Sequence, residues 1–225
     1  MVPPRVLVVG AGAGNLKSAV ALNLAAALAA AGTPARLADL DGASSAALRA
    51  FAPPGAAPDR WPVALPWAVA SLTVMAGRGD ATRDAARDAA DDVEPGTVAV
   101  VDPPRRWDAG VQALAAAAAL VLVPVDASAL ARRVLAEVAP AAGDRLRVVL
   151  ARRLPRSADR WALVDHLESL APGALSPVTI PMARAGGAVL YAPGTIAARA
   201  YARLAGEVVG LTAVNGLDRI TGFAG

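Results

Sequence analysis

The chain has 225 residues, enough for one large domain, and 56% of them are hydrophobic, which is ample for a core. It has no cysteine and a single histidine, His166, so disulfides, thiol catalysis and multi-histidine metal sites are excluded. Net charge is +3, and the 22 basic residues are 21 arginines and one lysine. A surface of that kind suits nucleic acid or anionic lipid, or is simply a solvated arginine-rich face.

In chain order, residues 5–9 (RVLVV) are a short apolar strand, followed by a glycine-rich turn at 10–14. Residues 18–31 have helical composition, ended by Gly32. A strand at 35–38 leads into Asp39, Leu40 and Asp41, and 44–51 suits a short helix. Residues 52–67, with five prolines and two tryptophans, read as an irregular excursion. A strand at 71–76 and a charged surface helix at 81–92 follow. A buried strand at 97–101 closes on Asp102, then come a helix at 109–119, a strand at 120–125 and a helix at 127–138. The last elements are a strand at 145–151, a helix at 159–170, a strand at 177–180 and a helix at 195–209. Residues 212–225 show no periodicity and are expected to form an irregular tail to a single domain spanning 1–225.

No basic and apolar leader opens the sequence, and the longest apolar runs, 113–125 and 24–31, are shorter than the ~18 residues of a membrane span. A soluble, cytoplasmic protein is the expectation. Continuous apolar strands alternating with helices imply an α/β fold, a mostly parallel twisted sheet with helices on both faces. Ligands of such sheets bind at the carboxyl ends of the strands.

Two readings fit the first such end. Gly10, Ala11 and Gly12 after a strand begin a dinucleotide fingerprint, with Asp39 placed for a ribose; the third glycine of that pattern is Asn15. An NAD(P)-dependent oxidoreductase would follow. Alternatively, Lys17 and Ser18 end a phosphate loop in which backbone N–H groups cradle phosphates, the lysine reaches the β- and γ-phosphates and the serine binds Mg²⁺. The only lysine of an arginine-rich chain stands where a compact ammonium is needed.

With the later motifs, the chain resembles the ParA/MinD family of deviant Walker-A P-loop ATPases over nearly its whole length. The helix from Ser18 to Leu28, the segment from Leu37 to Asp41, Val100 to Pro104, and Leu122 to Val125 resemble family motifs in order and spacing. Thr179 to Pro181 and Tyr191 to Tyr201 resemble its C-terminal section. The resemblance implies a P-loop NTPase fold, ATP and Mg²⁺ as cofactors, and a role in chromosome or plasmid partition or in cargo positioning. It implies that Asp41 orients the attacking water, that Ser18 and Asp102 hold Mg²⁺, and that Lys17 is catalytic. Gly12, Gly14, Asn15, Lys17, Ser18, Asp39 and Pro181 would line the nucleotide.

The family loop reads K-G-G-x-G-K-[ST]; this chain has Gly12, Ala13, Gly14, Asn15, Leu16, Lys17 and Ser18. The signature lysine that reaches across a dimer is Gly12. Leu16 replaces a glycine whose backbone usually adopts a conformation costly for other residues, on the order of 1–3 kcal/mol. Weak or absent hydrolysis is expected. Family members bind DNA nonspecifically through basic residues, which points to Arg147, Arg152, Arg153 and Arg156, as well as to an adaptor or partition partner and a possible homodimer. DNA binding would make the protein nucleoid-associated. The tail lacks a basic amphipathic helix, so no membrane association is expected. A nucleotide-independent scaffold positioning another assembly is the alternative on the same fold.

Overall fold

The computed structural model describes residues 5–10, 16–41, 60–63, 68–76, 96–104, 106–126, 129–151, 157–181 and 194–221. Strand β1 is Arg5–Val8, β2 Ala35–Asp39, β3 Arg60–Val63, β4 Leu72–Ala76, β5 Val98–Asp102, β6 Leu120–Val125, β7 Leu146–Ala151 and β8 Leu175–Ile180. The helices are α1 (Leu16–Ala30), α2 (Ala109–Ala117), α3 (Ala129–Ala142), α4 (Ser157–Leu170) and α5 (Ile196–Thr221). One sheet runs β3-β4-β2-β5-β1-β6-β7-β8, parallel throughout except that β3 is antiparallel to β4.

Alternation along each strand divides the core between two faces. Val6, Val8, Val100 and Leu122 face one side, packed with α1 and α5; Leu7, Val101, Val121 and Val123 face the other, packed with residues of α2, α3 and α4. Helix α1 is buried almost all round, from Lys17 through Ala29, because it lies between the sheet and α5. Alanines between the buried leucines let the helix approach its neighbours closely on two sides. It ends as expected: Gly32 takes φ +85°, Thr33 N–H donates to Leu28 O at 2.9 Å, and Gly32 N–H donates to Ala29 O at 3.2 Å, a Schellman cap.

Three expectations need correction. β3 forms within the proline-rich excursion expected to be irregular; Pro62 is tolerated because β3 is an edge strand, where one missing N–H costs no ladder. α5 continues through Thr221 in place of an irregular tail from 212, with Thr212 buried and its hydroxyl donating to Val208 O at 2.8 Å. α3 runs past Pro140 to Ala142, which is fully buried in the core. The helices expected at 44–51 and 81–92 lie outside the described residues.

Arg145 locks two helix ends. Its Nη1 donates to the carbonyls of Ala115 (2.7 Å), Ala118 (2.8 Å) and Ala116 (3.1 Å), and its Nη2 donates to Ala141 O at 3.1 Å. The terminal carbonyls of a helix lack intrahelical donors, and a guanidinium supplies several at once.

Candidate functional site

The carboxyl ends of β1, β2 and β5 lie side by side. β2 and β5 are in register, with Asp39 opposite Asp102, and Leu40 N–H extends the ladder to Asp102 O at 2.8 Å. β1 ends just before Gly10, and Lys17 is the second residue of α1. Gly10 is there for space: a Cβ at this position would collide with Lys17 Cβ and lie 2.9 Å from its Cγ.

Lys17 is 5% exposed, and its Nζ donates to Asp102 Oδ1 and to the carbonyl of Pro103. Asp41 Oδ2 lies 3.8 Å from the same ammonium. Asp39 Oδ1 accepts the Asp41 N–H at 3.2 Å, so Asp39 fixes the turn that aims Asp41. Ser18 is buried and hydrogen-bonded to Asp102. Burial pushes the Asp102 carboxyl up to about 6 from its ordinary 3.8; Lys17 and Ser18 pull it down in part, and the Asp39 charge adds to the rise. One ammonium thus meets two buried carboxyl groups, Asp102 and Asp41, and the buried Asp39 supports the turn beside them.

The set suits a phosphate ester with a divalent cation. The ammonium matches phosphate oxygens, and the Ser18 hydroxyl and Asp102 carboxylate are hard oxygen donors for Mg²⁺. Among the described residues no group of three or more carboxylates or imidazoles could hold a metal unaided. Mg²⁺ usually takes one or two protein ligands and completes its shell with water and phosphate.

Of the expected site residues, Lys17, Ser18, Asp39, Asp41 and Asp102 come together here. Gly12, Gly14 and Asn15 lie outside the described residues. Pro181 sits just past β8, three strand spacings or roughly 14 Å across the sheet from β1, in a cleft of about 330 Å³ against α5. Leu16 corrects an expectation: it is the first residue of α1, in helical conformation, and packs against the core shared by α1 and α5, so the cost of a left-handed backbone does not arise.

Arg147 is near the amino end of β7, the end of the sheet remote from Lys17. Its Nη1 donates to Leu146 O at 2.7 Å and Asp144 O at 3.4 Å, and its Nε is 4.0 Å from Glu207 Oε1. Arg152, Arg153 and Arg156 lie outside the described residues. Sequence reasoning missed the Pro103 carbonyl as an acceptor for Lys17, a backbone role without a side-chain signature.

The sheet order decides against the dinucleotide reading. In a dinucleotide-binding fold the first two strands are neighbours, which brings the acidic residue after the second to the ribose. Here β5 lies between β1 and β2, as in P-loop folds, and the oxidoreductase has no support.

No protein-family model and no curated protein matches the chain. Solved structures do. MinD of Pyrococcus horikoshii complexed with Mg-ADP is 16% identical, with 96% of this chain and 99% of that one covered at a TM-score of 0.64. The MinC:MinD cell-division complex of Aquifex aeolicus gives 16% identity, 92% and 96% coverage and a TM-score of 0.68. A ParA family ATPase of Chlorobium tepidum gives 15%, 91% and 98%, with a TM-score of 0.58. Sheet order, the strand-end cluster and these likenesses agree: the chain has the P-loop fold of the MinD and ParA ATPases.

Proposed function

We propose that the chain is a ParA-like partition or positioning protein in which ATP hydrolysis is weak or absent. The observation that carries the reading is the buried contact of Lys17 with Asp102, beside Asp41, at the head of α1 in this fold. For an ATP·Mg²⁺ ligand, Lys17 would exchange Asp102 for phosphate oxygens. Ser18 and Asp102 would hold the cation, which neutralises phosphate charge when bound, and Asp41 would orient water. Gly12, Gly14, Asn15 and Asp39 would border the phosphates and Pro181 the base. The loss of hydrolysis rests on Gly12, which puts no cation where the family loop has its signature lysine; one such contact is worth ~10³-fold or more in rate.

The proposed protein is cytoplasmic, binds DNA nonspecifically through Arg147, Arg152, Arg153 and Arg156, and acts with an adaptor protein. Any homodimer would close without the signature lysine. Among the described residues no helix is long and apolar enough to cross a membrane.

A second reading, a nucleotide-independent scaffold, is favoured by one observation: Lys17 is already neutralised by Asp102 and Pro103 O, so the site needs no anion to be satisfied. Isothermal titration with ATP·Mg²⁺ and a phosphate-release assay test both. The leading reading expects binding with turnover near background, and the scaffold expects no binding and DNA retention indifferent to ATP. Micromolar binding with readily measured turnover contradicts both.

A further inference from the structure

Strand β8 ends the sheet, and no described strand covers its outer side. That edge is poor in backbone donors for strand addition. Pro177 and Pro181 have no N–H. The N–H of Val178 is taken by Ser176 Oγ at 3.0 Å, whose hydroxyl in turn donates to Glu207 Oε2 at 2.6 Å. A ligand at this edge is therefore held mainly by side chains and less by a backbone ladder.

Beside the edge lies the cleft of about 330 Å³ between β8 and α5. Its walls include Pro177, Thr179, Pro181 and Ile196, and Ile196 is 69% exposed. The volume is at the small end for ligand sites and suits one or two apolar side chains. Arg199 and Arg203 complete the lining, one helical turn apart and both exposed. Among the described residues neither has a carboxylate within ion-pair distance. Like charges at this spacing repel, and the repulsion is relieved by an anion that bridges them. A duplex backbone is convex and needs a broad row of cations; two arginines flanking an apolar concavity match a chain that offers carboxylates around an apolar side chain.

We propose that this cleft docks an acidic protein segment carrying an apolar anchor residue, the anchor seated against Pro177, Pro181 and Ile196 and the flanking carboxylates paired with Arg199 and Arg203. The surface lies on the outer edge of the sheet and shares Pro181 with the proposed base site.

Random peptides displayed on phage are selected on the full chain, with the Arg199→Glu/Arg203→Glu variant as counter-selecting bait. Enriched peptides are expected to place Asp or Glu within a few residues of Leu, Ile or Phe. A synthetic, fluorescently labelled copy should bind the double variant about tenfold or more weakly by anisotropy, bind Ile196→Ser more weakly, and lose affinity with salt. All three substituted side chains are exposed, so matched melting temperatures are expected; Arg199→Gln/Arg203→Gln replaces any reversal variant that fails to fold. Absence of enrichment, enriched peptides without acidic residues, or equal affinity for the double variant overturns the proposal. So does labelled duplex DNA that displaces the peptide and loses its own affinity in the same variant, because the cleft would then be a nucleic-acid surface.

Discussion

Replacing Lys17 with Met keeps an unbranched, apolar stem and deletes the ammonium that pairs with Asp102 and lies 3.8 Å from Asp41. In the wild type the Asp102 carboxyl titrates at about 6 against 3.8 when unperturbed. The native state therefore holds the proton more tightly than the unfolded chain, and stability falls as pH rises from about 4 through 6, then levels off. At pH 7 ionising Asp102 costs the fold about 3 kcal/mol relative to its protonated form. Without Lys17 the positive charge that favours the carboxylate is gone, so Asp102 is either ionised and unpaired or protonated against its solution preference. Removing one partner of a buried pair costs about 3–5 kcal/mol, and that loss is expected at pH 8. At pH 5 Asp102 is mostly protonated in both proteins. There the loss shrinks to the missing hydrogen bonds, about 1–2 kcal/mol. Urea unfolding of the wild type and Lys17→Met at both pH values measures the difference. An equal loss at pH 8 and pH 5, or a larger one at pH 5, would refute the placement of Lys17 against an easily protonated Asp102.

Gly10→Ala puts a methyl group into the Lys17 stem and should cost about 2 kcal/mol, lowering the Tm by roughly 4–8 °C in thermal unfolding. Arg145→Ala leaves the carbonyls at the ends of α2 and α3 without their shared donor and should cost about 2 kcal/mol, read from urea unfolding. Arg145→Lys should recover little of it, since one ammonium cannot reach the same carbonyls. In filter retention of duplex DNA at low salt, Arg147→Ala should weaken binding less than Arg152→Ala/Arg153→Ala, because the Arg147 guanidinium already donates to Leu146 O and Asp144 O. A larger loss from Arg147→Ala would place the DNA face at the amino end of β7.

Much of this architecture is legible without coordinates because a parallel strand buried on both faces must be a continuous apolar run. Val98–Asp102 and Leu120–Val125 are such runs, and Asp102 is conspicuous as the polar residue ending the first. Gly32 marks the end of α1 because the cap needs φ > 0. β3 is hidden by Pro62, whose presence argues against a strand unless the strand is at an edge, and edges are set by tertiary order. The end of α5 is hidden because residues after 212 lack an apolar period. Leu16 reads as a phosphate-loop position and is instead a helix residue packed on the core. Arg145 reads as one cation in a run, and its bonds to helices distant in sequence follow only from packing.

We propose a P-loop site that retains Lys17 and Asp102 and has lost its hydrolytic cycle at the loop before them. Phosphate release from ATP·Mg²⁺ tests it most directly, measured on the wild type and on Gly12→Lys/Ala13→Gly/Leu16→Gly, which restores the family loop. Turnover at background in the wild type and a measurable gain in the restored chain are expected. Ready turnover by the wild type, with no gain on restoration, would contradict the account.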